Sequence, residues 1–109
     1  MEQQKIVKQF LQERDWEQYH TPKELLLGLV EEIGEFRNII KWEKDEKKVK
    51  QKIQDNHEEI EDFFGDALWE LCSLANYCDV NLSDALDKVI AKHKIRFPVD
   101  QVKGKHTNN

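Results

Sequence analysis

An all-α fold, four helices arranged as a bundle, is what the sequence predicts, and three observations predict it. Apolar residues recur at the helical period, most clearly Ile60, Phe64, Ala67, Leu68, Leu71, Leu74, Ala75 and Cys78. Four glycines and two prolines in 109 residues are too few for the many turns an all-β chain needs. The run Thr21-Pro22-Lys23-Glu24 supplies a sharp helix start, with an N-cap threonine, an N1 proline and the glutamate of a capping box.

In chain order, Gln3 to Glu13 reads as a first helix, with Ile6, Val7, Phe10 and Leu11 on one face. Arg14 to His20 has no clear period. The second helix runs from Pro22 to about Trp42, with Leu26, Leu29, Val30 and Ile33 as one stripe and Leu25, Phe36 and Ile39 widening it. A belt that broad suggests more than one neighbour, a second subunit among them. Glu43 to Asp55 is almost wholly charged or amide and reads as a solvated connection, a short helix or a disordered lid. The third helix spans about Asn56 to Cys78, and Trp69 beside its stripe reads as structural. Ser83 is the expected cap of a fourth helix, Asp84 to about Ile95, which Pro98 prevents from continuing. One domain is expected over 1–99, with a loose polar tail over 100–109.

The charged fraction of 36% suits helices with solvated faces. A net charge of −5 argues against a binder of nucleic-acid polymers, which needs clustered Lys and Arg, but not against a small anionic substrate. Cys72 and Cys78 lie six apart, roughly 600° round a helix, so they do not pair and read as free core thiols of a reducing compartment. No signal peptide, membrane span or lipidation motif is visible, which points to the cytoplasm and to no membrane partner.

The chemical signal is Glu31-Glu32-Ile33-Gly34-Glu35. Glu32 and Glu35 are i, i+3 and share a helix face, with Glu31 about 100° from Glu32. Like charges one turn apart repel, and a hard divalent cation would turn that repulsion into coordination. A solvated acidic face would need no ligand. The third helix, however, carries a second polar stripe of Glu59, Asp62, Asp66 and Glu70, with Asp66 inside the most apolar stretch of the chain. Two acidic faces bordered by apolar residues could enclose a metal. Gly34 costs its helix about 1 kcal/mol relative to Ala, which a close helix approach would explain. A di-iron bundle is disfavoured, since only Glu17 and His20 make a Glu-x-x-His pair where two are needed.

The ordered set Glu13-Arg14-Asp15-Trp16-x-Gln18-Tyr19-His20-x-Pro22, Leu25-Leu26-x-Gly28-Leu29-Val30-Glu31-Glu32-Ile33-Gly34-Glu35 and Lys41-Trp42 resembles the MazG-like all-α NTP pyrophosphohydrolases, closest to their dCTP pyrophosphatase branch. Gly65 to Leu68, Leu74 to Asn76, Val80 to Leu82 and Arg96 to Pro98 agree, and the resemblance covers about residues 10 to 99. It implies hydrolysis of a nucleoside triphosphate between the α and β phosphates, giving monophosphate and pyrophosphate. It implies Mg²⁺, with Mn²⁺ as the alternative, on Glu32, Glu35 and Asp66, with Glu31 as the preceding acidic residue and Glu32 or Glu35 as catalytic base. It implies base recognition by Trp16 and Trp42 with His20 nearby, phosphate contacts from Lys88 and Arg96, and a homodimer or homotetramer.

Three positions depart from the pattern. Phe63 stands where the family has a metal-binding Glu, Glu70 where the close branch has Tyr, and His93 where it has Asn. Asp62 and Glu70, at i−4 and i+4 from Asp66, are the candidates to restore a lost ligand, Glu70 first because of its longer arm. His93 joins Lys88 and Arg96 as a candidate substrate contact. The other reading is a catalytically weakened or non-catalytic homologue that binds nucleotides or dimerises.

Overall fold

A computed structural model describes residues 1–105. Helices α1 (Glu2–Glu13), α2 (Pro22–Ile40), α3 (Glu46–Asp55), α4 (His57–Tyr77), α5 (Leu82–Arg96) and α6 (Val99–Val102) follow one another, with a 3₁₀ turn at Glu17–Tyr19 and no strand among the described residues. The four helices expected are α1, α2, α4 and α5. The charged connection is a helix, α3, opened by Asp45, whose side chain accepts from the backbone N–H of Lys47 at 2.9 Å. The tail expected from residue 100 begins inside the single turn of α6, and residues 106–109 lie outside the described ones.

The caps explain the aperiodic stretches. At the end of α1, Asp15 takes φ 53°, so Trp16 N–H returns to Leu11 O (2.9 Å) and Asp15 N–H to Gln12 O (3.1 Å). At the end of α4, Asp79 takes φ 55°, Val80 N–H returns to Ala75 O (2.9 Å) and Asp79 N–H to Asn76 O (3.3 Å). Both are Schellman closures with aspartate in the left-handed position that glycine usually fills. Thr21 is the N-cap of α2 and Pro22 its first residue, but the threonine side chain makes no capping hydrogen bond, so the expected box is absent. The cap of α5 is Asn81 rather than Ser83: its side chain accepts from Asp84 N–H at 3.0 Å and the helix starts two residues early.

The helix α4 is the spine. Along one side it packs on α2, and near its C-terminal half on α1, where Val7, Leu11 and Cys72 form a buried cluster joined by Met1, Phe10, Trp69 and Leu82. Trp69 is structural as expected, edge-on to Phe10 at 5.2 Å. The apolar stripes point differently from expectation. On α2 it is Leu25 that is buried, while Leu26, Val30 and Ile33 are exposed. On α4, Ile60, Ala67, Cys72 and Ala75 are buried and Phe64, Leu68 and Leu71 are open. Cys78 is an exposed thiol at the end of α4, not a core one. Gly34 has open space around its Cα, so no helix approaches there; the close approach is at Gly28.

One chain does not close the bundle. Its radius of gyration is 17.7 Å, against about 13 Å for a compact domain of this length. Its accessible surface is 9048 Å², against about 6,300 Å² for a compact chain of this mass. Beyond Leu82, α5 stands off, with Leu86, Val89, Ile90 and Ile95 exposed. No described helix is long and apolar enough to cross a membrane.

Candidate active site

The α2–α4 contact brings two acidic stripes face to face. Glu32 and Glu35 come from α2; Glu59, Asp62 and Asp66 come from α4. All five line one cavity of about 260 Å³ whose remaining wall is Phe36, Ile39, Ile60 and Phe63. Helical spacing places these carboxylates: i, i+3 on α2 and i, i+3, i+7 on α4 each keep to one face. The apolar wall is held by edge-to-face rings, Phe36 to Phe63 at 5.1 Å and Phe63 to Phe64 at 5.0 Å. Phe63 is therefore part of the cavity's aromatic wall.

Electrostatics registers the crowding. Burial, then the charges of Glu35, Asp66 and Glu31, hold the Glu32 carboxyl above its ordinary value of 4.5. Burial, then Glu32, Asp66 and Glu31, do the same to Glu70. The side chain of Glu70 lies against Gly28 of α2, and its Oε2 is buried without a hydrogen-bond partner. A buried carboxylate oxygen with nothing to bond is costly, and repulsion from three neighbours adds to the cost.

Oxygen donors of this kind suit a hard divalent cation. Among the described residues, however, no three ligating side chains stand close enough together to grip an ion as they lie. The fit is one of chemistry and placement, and closing on an ion would require the flexible Glu and Asp side chains to turn inward.

The remaining candidates do not line this cavity. Trp16 is half-exposed on Phe10, with ring centroids 6.0 Å apart, and its carbonyl meets Nδ1 of His20 at 2.9 Å. His20 lines a separate small cleft between α1 and α4. Trp42, just past the end of α2, is 82% exposed, with the Lys41 ammonium 5.1 Å from its ring centre. Lys88, His93 and Arg96 are exposed on α5, where His93 and Arg96 lie against Phe97. Within one chain the acidic groups are assembled, and the aromatic and cationic ones are displayed at its edges.

Sequence reading missed Gly28 and the apolar wall of Phe36, Ile39 and Ile60. A glycine inside a helix is the available signal for the first, but the sequence offers it equally at Gly34, which faces open space. Glu59 lies two turns before Asp66 on α4, about 10 Å along the axis; it shares the cavity but not a common grip.

Residues 20–99 match the model of the MazG nucleotide pyrophosphohydrolase domain. Among curated proteins the chain is 35% identical over 97 residues to dCTP pyrophosphatase 1 of Rattus norvegicus and to that of Bos taurus, covering 88% of this chain and 57% of each relative. It thus spans little more than half the length of these relatives. Among solved structures it resembles a pyrophosphatase from Archaeoglobus fulgidus DSM 4304, with a TM-score of 0.78 and 26% identity over 89% of this chain and 90% of that one. The chain belongs to the MazG nucleotide pyrophosphohydrolase domain family.

Proposed function

We propose that the protein hydrolyses a nucleoside or deoxynucleoside triphosphate, such as dCTP, to its monophosphate and pyrophosphate, using Mg²⁺ or Mn²⁺ at the α2–α4 cavity. The observation that carries this reading is the facing of Glu32 and Glu35 with Asp62 and Asp66 across one cavity, in a chain whose relatives are named dCTP pyrophosphatase. A bound divalent cation would neutralise phosphate charge and orient an attacking water. Glu32, Glu35 and Asp66 would hold it, with Glu31 flanking and Glu70 or Asp62 taking the place of the missing carboxylate at Phe63. Asp62 lines the cavity and Glu70 does not; Glu70 is still favoured, since its buried Oε2 has no hydrogen-bond partner among the described residues and its longer side chain could turn in. Glu32 or Glu35 accepts the proton of the water. Lys88, His93 and Arg96 stabilise charge on the phosphates, while Trp16 and Trp42, with His20, offer aromatic faces to the base.

The open radius of the single chain supports a homodimer or homotetramer. The two free thiols, Cys72 and Cys78, support a reducing cytoplasm. Pyrophosphate release from a panel of triphosphates, with and without Mg²⁺, tests the activity. Release that needs Mg²⁺ and is abolished in Glu35→Gln and Asp66→Asn is the expected result; an unchanged rate in both variants refutes the site. A second reading, a non-catalytic nucleotide-binding homologue, is favoured by Phe63 alone. Turnover gained by Phe63→Glu over an inactive wild type would establish it.

A further inference from the structure

Gln4 is 7% exposed, one of two buried polar side chains, Ser73 being the other. Its amide is spent on the link between α4 and α5. Nε2 donates to Val80 O at 2.6 Å, and Oε1 accepts from Leu82 N–H at 2.9 Å. These two backbone groups flank Asn81, the residue that caps α5. The backbone carbonyl of Gln4 in turn accepts from the Asn76 side chain at 3.1 Å, near the end of α4. One residue of α1 thus clips the end of α4 to the start of α5, across more than seventy residues of sequence.

The clip matters because, among the described residues, α5 does not pack extensively on any other helix. Leu82 reaches the buried cluster, but Leu86, Val89, Ile90 and Ile95 beyond it are exposed. The backbone on the α4 side is fixed by the left-handed Asp79 closure, so the direction of α5 is decided within Val80, Asn81 and Leu82. Lys88 lies six residues and Arg96 fourteen residues beyond Leu82, about 9 Å and 21 Å along the axis. A tilt of about 10° at Leu82 would carry Arg96 nearly 4 Å sideways at that lever arm, which is the reach of an ion pair.

We infer that Gln4 is a positioning residue: by holding Val80 O and Leu82 N–H it sets the direction of α5 and so the place of Lys88 and Arg96 relative to a bound triphosphate. This rests on the reading of α5 as the phosphate-contacting helix.

The test compares wild type with Gln4→Met, which keeps the length of the side chain and loses both hydrogen bonds. Residual dipolar couplings report the orientation of α5 relative to α4, and calorimetry gives affinities for Mg²⁺ alone and for a non-hydrolysable dCTP analogue at several salt concentrations. In Gln4→Met, α5 turns while α2 and α4 keep their mutual orientation. Analogue affinity falls about tenfold and its salt dependence flattens, while Mg²⁺ affinity stays within about twofold. Unchanged orientation of α5 overturns the inference, as does an α5 that turns with no loss of analogue affinity. A parallel fall in Mg²⁺ affinity also overturns it, because Gln4 then only supports the fold. Should Gln4→Met fail to fold, Gln4→Glu, which keeps the acceptor for Leu82 N–H, goes through the same measurements. If wild type binds no triphosphate, it is the proposed function that fails, and the orientation of α5 alone decides the role of Gln4.

Discussion

The carboxylate of Glu70 occupies the space where a side chain on Gly28 would begin. A Cβ at Gly28 would stand 2.5 Å from Oε1 of Glu70 and 2.9 Å from its carboxyl carbon. The glycine of α2 and the glutamate of α4 are thus one feature: the bare backbone at 28 admits a carboxylate beneath the acidic face of α2, and the carboxylate arrives with one oxygen unpartnered.

Gly28→Ala separates stability from metal binding. Alanine gains about 1 kcal/mol of helix propensity, and Glu70, a flexible side chain, swings out and loses its buried, repelled position. The melting temperature of the metal-free protein is expected to rise by a few degrees, about 3–6 °C. Mg²⁺ affinity is expected to fall about tenfold. In a Glu70→Gln background, Gly28→Ala should have no further effect on Mg²⁺, since the two positions act through one carboxylate. Calorimetric titration checks both; full Mg²⁺ affinity in Gly28→Ala would remove Glu70 from the ligand set.

The acidic faces were legible in the sequence because helical spacing alone puts Glu32 with Glu35 and Asp62 with Asp66. Which turn of α4 meets which turn of α2 was not, because packing sets that register. In sequence, Gly28 and Gly34 are both glycines within one helix, and only the packing shows that the close approach is at Gly28 while Gly34 faces open space. Periodicity also says that a helix has an apolar face without saying which neighbour covers it, so the Leu26, Val30 and Ile33 stripe reads as core and lies exposed. Gln4 was hidden for a related reason: an amide on an amphipathic helix looks solvated until its partners at Val80 and Leu82 come into contact with it.

A pH prediction follows from the two raised carboxyls. Glu32 and Glu70 bind a proton more tightly in the folded chain than at their ordinary value of 4.5. Their contribution to stability is therefore fully present below 4.5 and is lost as pH rises through the raised values. A divalent cation favours the ionised forms and opposes that loss. The rise in melting temperature on adding Mg²⁺ should be larger at about pH 7.5 than at about pH 5. Thermal melts at both values check it. In the double variant Glu32→Gln, Glu70→Gln the difference should shrink, and a Mg²⁺ shift equal at both pH values in wild type would contradict the coupling.

The two tryptophans assigned to the base should respond differently. Trp42 is 82% exposed, so Trp42→Ala should leave the melting temperature unchanged. Stacking on a base is worth about 1–3 kcal/mol, so nucleotide affinity should fall about tenfold or more. Trp16 packs edge-on to Phe10, so Trp16→Ala should lose affinity and also destabilise by about 1 kcal/mol. Titration with a non-hydrolysable analogue, alongside melts, checks both; unaltered affinity in both variants would leave the tryptophans without a role at the base.

Assembly is the last prediction, and the open shape of the chain carries it. The face left bare by α2 and α4 includes Val30 at 65% and Phe64 at 60% exposure, with Leu26, Ile33, Leu68 and Leu71 beside them. The accessible surface exceeds that of a compact chain of this mass by roughly 2,700 Å², more than the 1,600 Å² or so of a standard interface. A second copy would cover such a face with apolar side chains at about 1.5–3 kcal/mol for each one fully buried. Sedimentation at micromolar concentration should therefore give at least twice the 13.0 kDa of one chain. Val30→Glu would bury an unpaired charge in that contact, so it should run as a single chain with its helical circular dichroism retained. If Lys88 and Arg96 reach the phosphates only in the assembled protein, the same variant should bind Mg²⁺ nearly as well as wild type and triphosphate far less well. Wild type running as a 13.0 kDa species would refute the assembly. A monomeric Val30→Glu with full triphosphate affinity would show that the site is complete within one chain.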